Sequence, residues 1–377
     1  MRILYDGVAF QEGMLGGGVN RYARELISRV AAMEGTHVSV YGSLARWPEG
    51  RELGIGEMWE PRVRENHRFC AAAKRINSIV ESALGVTLPL RMMRGQPDIF
   101  HLPYYRMPAK VGSIVVTVYD MLLELFREQY DNAYCESVRR QKQRAVQAAA
   151  HIICISESAR QDVMRMFGIP AERITVTYLA SDLVVASPSE DAAGPSRQIP
   201  EEPFLLHVGS RYFHKNFGGL LEAYGQWDLR REVRLVNVGG PDWSESELAA
   251  MRKLGIEQRM LRLGRATDAT LAALYRRAVA AVCPSLYEGF GLPVLEALQC
   301  GGIVCSSNRS SLPEVGGDVA IYFDPEQPES IMRALSQATG LGPADRLQRS
   351  QRGIDWAKNF SWNRMAQETM QVYRRLL

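Results

Sequence analysis

Short apolar runs with strand character alternate with longer amphipathic stretches along most of this chain, and a strand followed by a helix returns to its sheet in parallel. MRILYD (1–6), HVSVYG (37–42), IFHLPY (99–104), SIVVTVYD (113–120) and HIICIS (151–156) supply one set of strands. FLLHVGS (204–210), VRLVNVGG (233–240), MLRLG (260–264), AAVCPS (280–285) and GIVCSS (302–307) supply a second. Helices are expected between them, at 19–33 and 131–150 in the first set and at 216–227, 245–254, 268–277 and 292–299 in the second. Between the sets lies ASPSEDAAGPSRQIP (186–200), rich in Ser, Pro and Ala and without period, which reads as a boundary loop. The expected fold class is α/β with two parallel-sheet domains, 1–185 and 201–360, and 377 residues allow each to bury its own core. The last stretch, 361–377, carries Trp362, Met365, Thr369, Val372 and Leu376 at helical spacing.

Charge and composition narrow the function. The balance of 45 Lys and Arg against 42 Asp and Glu leaves a formal net charge of +3, too small for nucleic acid to be the main partner. No apolar run approaches the roughly 18 to 20 uncharged residues that cross a bilayer. The opening MRILYDGVAF places Asp6 where a signal peptide would be apolar, so the chain is expected in the cytoplasm. Cys70, Cys135, Cys154, Cys283, Cys300 and Cys305 form no C-x-x-C pair and fit buried thiols better than disulfides or zinc ligands. The six histidines show no metal-binding spacing, and His101 and His207, both in strand runs, are expected as core or site-wall groups.

The chemistry concentrates in VCPSLYEGFGLPVLEAL (282–298), where a buried strand gives way to a glycine loop and a helix start with a carboxylate on each side. Pro293 suits a first helical position, because the N–H it lacks would have no partner there. The helix then begins beside Gly289, Phe290, Gly291 and Leu292, and its unpaired N–H groups and positive dipole end favour an anion such as phosphate. Glu288 and Glu296 beside a phosphate suit a ligand with hydroxyls on both sides of its phosphates, the pattern of a nucleotide sugar.

This run resembles the Glu-x7-Glu motif of retaining glycosyltransferases of family 4, and the resemblance extends in order along nearly the whole chain. It implies the GT-B fold, two Rossmann-like domains with parallel sheets facing a central cleft, and a terminal helix 361–377 that returns to the first domain. Near the start, Gly16, Gly17 and Gly18 in LGGGVNRYARELI look like the family's glycine loop; they do not form the G-x-G-x-x-G dinucleotide fingerprint. In HVGSRYFHKNF, Ser210, Arg211 and Lys215 resemble the segment whose basic pair neutralises the donor diphosphate. The loop 264–266, with Arg265, is similar to one that lies against the nucleobase, and 307–313 resembles a segment near the donor, with Glu314 opening a supporting turn. Glu288 would then hold hydroxyls of the transferred sugar and Glu296 those of the ribose. One departure stands out: many relatives carry His-Asp where this chain has Tyr119-Asp120, and tyrosine offers a hydroxyl without a proton switch near neutral pH. Asp120 is read either as a member of the reacting site or as a cap on the next helix.

The resemblance places Glu288, Asp120, Arg211 and Lys215 in the catalytic machinery, with Gly17, Gly18, Tyr119, Ser210, Arg265, Gly289, Phe290, Gly291, Leu292 and Glu296 at the donor. Cationic side chains and helix N–H groups would stabilise the leaving diphosphate, no D-x-D motif is present, and no metal or other cofactor is expected. The implied activity is transfer of a hexose, best read as mannose from GDP-mannose, to a saccharide or lipid-linked saccharide in surface polysaccharide synthesis. A nucleotide-sugar epimerase of the same form and a catalytically silent nucleotide-sugar-binding protein are the alternatives. Arg62, Arg64, Arg68, Lys74, Arg75, Arg91 and Arg94, and a second cluster of Arg139, Arg140, Lys142 and Arg144, read either as solvated helix faces or as peripheral contacts with anionic lipid.

Overall fold

The computed structural model describes residues 1–7, 17–41, 57–59, 86–87, 97–108, 112–183 and 199–377. Gly16, Cys70, the basic residues between 62 and 94, and 186–198 of the expected boundary loop lie outside the described residues. The chain divides into two compact units, Met1–Leu179 with Trp362–Leu377, and Ala180–Ser361.

In the first unit the strands are β1 (Arg2–Asp6), β2 (His37–Tyr41), β3 (Glu57–Trp59), β4 (Val86–Thr87), β5 (Ile99–Leu102), β6 (Met107–Pro108), β7 (Ser113–Val118), β8 (His151–Cys154) and β9 (Ile174–Val176). Seven of them form a parallel sheet in the order β3-β2-β1-β5-β7-β8-β9, while β4 and β6 pair separately. Leu4 pairs with Ser39 on one side and Phe100 on the other. Central strands such as β5 are buried along their length, as expected for a parallel sheet covered on both faces. The helices Gly18–Ala31 and Ala133–Ala148 follow the apolar periodicity, and Asn132 caps the latter by accepting the Cys135 N–H at 2.9 Å.

The C-terminal helix Trp362–Arg375 belongs to this unit and buries Trp362, Met365, Ala366, Met370, Val372 and Tyr373. It is fastened by a buried polar chain. The Tyr373 hydroxyl meets the Tyr5 hydroxyl at 3.0 Å and the His101 Nδ1, while His101 Nε2 meets Thr117 Oγ1, which meets the Tyr22 hydroxyl. Every member has a partner, the condition under which a buried polar network stabilises rather than weakens a core. His101 is thus a satisfied core group, as the sequence implied.

In the second unit the strands are β10 (Phe204–Val208), β11 (Arg234–Val238), β12 (Met260–Leu263), β13 (Ala280–Cys283), β14 (Val304–Ser307) and β15 (Ile321–Phe323). They form a parallel six-stranded sheet in the order β12-β11-β10-β13-β14-β15. From β10 the chain winds outward through β11 to β12, then returns to place β13 on the other side of β10. The direction of winding reverses between β10 and β13, and in open α/β sheets such a reversal opens a crevice at the carboxyl ends of the two strands. The loops after β10 and β13 are the two that carry the motifs. The cysteines Cys135, Cys154, Cys283, Cys300 and Cys305 are buried free thiols. Among the described residues no helix is long and apolar enough to cross a membrane.

Candidate active site

The run after β13 folds as its residues require. Gly291 has φ +107° and ψ 45°, and it caps the helix Leu292–Gln299 with Pro293 in the first turn. A β-carbon at Gly291 would lie 2.7 Å from Leu312 Cδ2, so space as well as backbone conformation demands glycine. The N–H groups of Gly289, Gly291 and Leu292 precede that of Val294, which closes the first turn of the helix on the Gly291 carbonyl at 3.0 Å. Two serines shape the loop from beside it. Ser311 Oγ donates to the carbonyls of Glu288 and Phe290 at 2.9 and 2.8 Å, and Ser310, held at φ +51°, accepts the Glu288 N–H at 2.9 Å. Phe290 is buried edge-on against Phe360, with ring centroids 5.8 Å apart, so it anchors the loop from below.

Glu288 is held by three side-chain hydrogen bonds. Lys215 Nζ donates to both of its oxygens, at 2.7 and 2.9 Å, and Ser285 Oγ donates to Oε1 at 2.7 Å. Burial alone would raise the Glu288 pKa, but the Lys215 charge and these hydrogen bonds outweigh it and hold the carboxyl below its ordinary range. Lys215 reaches this position because its turn is tied to the next loop by the Leu286 N–H, which donates to the His214 carbonyl at 2.8 Å. Glu296 lies about one turn into the helix and accepts the Tyr275 hydroxyl at 3.2 Å.

Arg211 occupies a different position from the open phosphate fork expected of it. Its Nε donates to Glu247 Oε1 at 2.5 Å, Nη1 to Asn237 Oδ1 at 2.8 Å, and Nη2 to the Pro241 and Asp242 carbonyls at 2.9 and 3.1 Å. The side chain is 3% exposed, and its guanidinium carbon sits 4.5 Å from the Trp243 ring centroid. Glu247 is also the capping-box residue of the helix Glu245–Leu254, so Arg211 is locked to a helix start. Asn237 links it to His207 Nδ1 at 3.0 Å. Burial foremost, then the positive charges of Lys215 and Arg211, push the His207 pKa down to about 3, which keeps this ring neutral as a site-wall group.

Ser210 is half-buried behind Gly209 at the end of β10, and Arg265 is exposed in the loop after β12. Glu314 lies in the short helix Leu312–Gly316.

In the first unit, Gly17 is the N-cap of the helix that starts at Gly18, with its carbonyl accepting the Arg21 N–H at 3.1 Å. Tyr119 is buried, and its hydroxyl donates to the Pro103 carbonyl at 2.7 Å, so it is spent on the protein rather than offered to a donor. Asp120 takes the capping geometry: Oδ1 accepts the Leu122 N–H at 3.1 Å and lies 3.9 Å from Lys142 Nζ. Lys142 and Arg139 also correct the reading of the 139–144 cluster as a surface face. Lys142 is buried, donating to the Asp120 carbonyl and Glu124 Oε2 at 2.9 and 2.8 Å, and Arg139 bonds Glu136 and the Leu123 carbonyl, leaving only Arg140 and Arg144 exposed.

Residue patterns did not single out Tyr275, Ser285 or Glu247, whereas Ser310 and Ser311 fall in the 307–313 segment that the resemblance set near the donor. Ser285 was within reach, since it lies three residues before Glu288; Tyr275 and Glu247 are brought in by tertiary packing. Among the described residues no group of three His, Cys, Asp or Glu side chains is arranged to hold a metal ion.

With this geometry, residues 16–184 match the family described as Glycosyltransferase Family 4 and residues 189–351 match Glycosyl transferases group 1. The chain belongs to glycosyltransferase family 4. It is 30% identical to the O-antigen chain mannosyltransferase B of Escherichia coli, over 95% of this chain and 96% of that protein. Its fold is the GT-B fold of two Rossmann-like domains. Sucrose-phosphate synthase from Thermosynechococcus elongatus superimposes with a TM-score of 0.72 at 19% identity, covering 100% of this chain and 99% of that one. Anabaena Alr3699/HepE in complex with UDP and glucose gives 0.70 at 16% identity, covering 99% of each. At these identities the structural likenesses establish fold alone.

Proposed function

We propose that this glycosyltransferase is a retaining, metal-independent hexosyltransferase that moves mannose from GDP-mannose to a saccharide or lipid-linked saccharide in surface polysaccharide synthesis. The observation that carries the reading is the Lys215–Glu288 pair beside the helix start at Gly291, with Glu296 in the same short helix. The similarity to an O-antigen mannosyltransferase over nearly the whole of both chains supports the choice of sugar.

In this reading Lys215 and the N–H groups of Gly289 to Leu292 meet the diphosphate and stabilise the charge that grows as it leaves. Glu288 turns toward the sugar hydroxyls, exchanging part of its bond to Lys215 for substrate, and Glu296 holds the ribose diol. Arg211 contributes its charge from a fixed position and keeps the Lys215 turn attached to the helix Glu245–Leu254. Asp120 serves the acceptor side, and the glycine turn at Gly17 and Gly18 approaches the donor. The acceptor hydroxyl attacks from the face the diphosphate leaves, and a departing phosphate oxygen takes its proton, so no protein nucleophile is needed. A lipid-linked acceptor would bring the protein to the inner face of the cytoplasmic membrane, with Arg140 and Arg144 as the exposed basic groups of their helix.

The test is a panel of GDP-mannose, UDP-glucose, UDP-N-acetylglucosamine, ADP-glucose and dTDP-glucose, read first by calorimetric binding and then by donor hydrolysis and transfer. Selective binding of GDP-mannose with slow hydrolysis, and turnover that survives chelation of divalent ions, is expected. Binding without turnover under any acceptor would favour the silent nucleotide-sugar-binding protein. Conversion of UDP-N-acetylglucosamine with no acceptor would favour the epimerase.

A further inference from the structure

We infer that Tyr275 is a positioning residue that fixes Glu296 for ribose and so makes this site prefer ribonucleotide over deoxyribonucleotide donors. The inference rests on the proposed role of Glu296 and adds to it the group that holds that carboxylate in place.

Tyr275 lies in the last turn of the helix Asp268–Arg277, fully buried, and its hydroxyl crosses to the neighbouring helix Leu292–Gln299 to donate to Glu296 Oε2 at 3.2 Å. A glutamate on a helix has three side-chain torsions, and a free carboxylate would sample several placements. One anchored oxygen removes most of that freedom and orients the remaining lone pairs, which a vicinal diol needs if both of its hydroxyls are to donate. Burial foremost, and the Glu296 charge next, drive the Tyr275 pKa well above its ordinary value, so the phenol stays a donor throughout the working pH range.

The backbone around the pair is fixed independently. Gly302 passes so close to both helices that a β-carbon there would lie 2.6 Å from the Tyr275 carbonyl and 3.1 Å from the Ala297 carbonyl. The Gly302 N–H donates to the Ala297 carbonyl at 2.8 Å. The turn entering β14 therefore locks the end of the tyrosine helix against the residue that follows Glu296. Neither hydroxyl nor carboxylate can drift by a helical turn without breaking this contact.

The experiment is calorimetric titration of GDP and 2′-deoxy-GDP, with UDP and 2′-deoxy-UDP alongside, into the wild type, Tyr275→Phe and Glu296→Gln. Phenylalanine keeps the buried ring, and thermal unfolding of the variant checks that the fold is retained. The wild type is expected to prefer the ribonucleotide by about 10-fold or more, the scale of a lost hydrogen bond to a charged group. Tyr275→Phe should reduce that preference to about 3-fold or less by weakening the ribonucleotide alone, and should raise the donor KM with kcat within about 2-fold. In a Glu296→Gln background the Phe change should add little, as for two residues acting through one contact. If Tyr275→Phe folds and keeps the wild-type preference, the positioning role is wrong while the Glu296 reading survives. If the wild type shows no preference and Glu296→Gln binds as the wild type does, the ribose assignment itself falls.

Discussion

Replacing Lys215 by methionine leaves the Glu288 carboxylate in a site where its side chain is 10% exposed, with Ser285 as the remaining side-chain donor among its named partners. Removing one member of a buried pair costs about 3 to 5 kcal/mol, and because Lys215 is itself 19% exposed the lower end, about 3 kcal/mol at neutral pH, is expected. The pH dependence makes the prediction specific. In the wild type the Glu288 pKa is depressed, so its contribution is present above the ordinary value of 4.5 and is lost as pH falls through the lower folded-state value. Without Lys215, burial dominates and the pKa rises above 4.5, so the variant loses stability as pH increases from that value, by up to about 1.4 kcal/mol per pH unit. The gap between wild type and Lys215→Met should therefore widen from pH 4.5 to 7.5. Urea titrations at the two pH values, followed by tryptophan fluorescence and assigned unit by unit, measure it; a chain with two units is not assumed to unfold in one step. The double variant Lys215→Met/Glu288→Gln should recover at least about 1 kcal/mol relative to the sum of the single changes. A gap independent of pH together with additive single changes would refute the argument that the two side chains neutralise each other.

In turnover, Lys215→Ala should lower kcat/KM by roughly 30-fold or more, about 2 kcal/mol of transition-state stabilisation, and an unchanged value would remove its phosphate role. Glu296→Gln should mainly weaken nucleotide binding and Glu288→Gln mainly lower kcat, with equal, negligible effects rejecting that division. Gly291→Ala should lower stability by about 2 kcal/mol or more, because a β-carbon meets Leu312 and the backbone is left-handed; an unshifted thermal midpoint would contradict this. The folded-state pKa values of His101 and His207 are both depressed from 6.5 to about 3, mainly by burial, so their contribution is full above pH 6.5 and declines as pH falls toward 3. Denaturant titrations from pH 7 to 4.5 should show that decline, and His207→Gln should reduce its slope by about one proton.

The sheets were legible wherever strand and neighbour were both long enough to leave an apolar run. The strands missed at the edges, β3, β9 and β15, have three residues each, too few to establish a period, and they are recognised by the strand beside them. Glu288, Glu296 and the glycine turn were readable because they lie within one local run whose backbone demands are written in glycine and proline. Arg211 was readable as a basic residue near the site but not as a buried one, since its acceptors come from β11, the 241–242 turn and the helix Glu245–Leu254. Lys142 and Arg139 misled for the same reason: a cation in a helical sequence looks solvated until the carbonyls and carboxylates of another segment are placed around it. Tyr275 sits 21 residues from its carboxylate and carries no local signal at all.

The most direct measurement is a crystal structure with an intact, slowly hydrolysed donor such as GDP-mannose. The account predicts the diphosphate within hydrogen-bond reach of Lys215 Nζ and the N–H groups of Gly289 to Leu292, the ribose on Glu296, and the hexose hydroxyls on Glu288. A diphosphate bound away from that helix start, with the Lys215–Glu288 pair undisturbed, would contradict it.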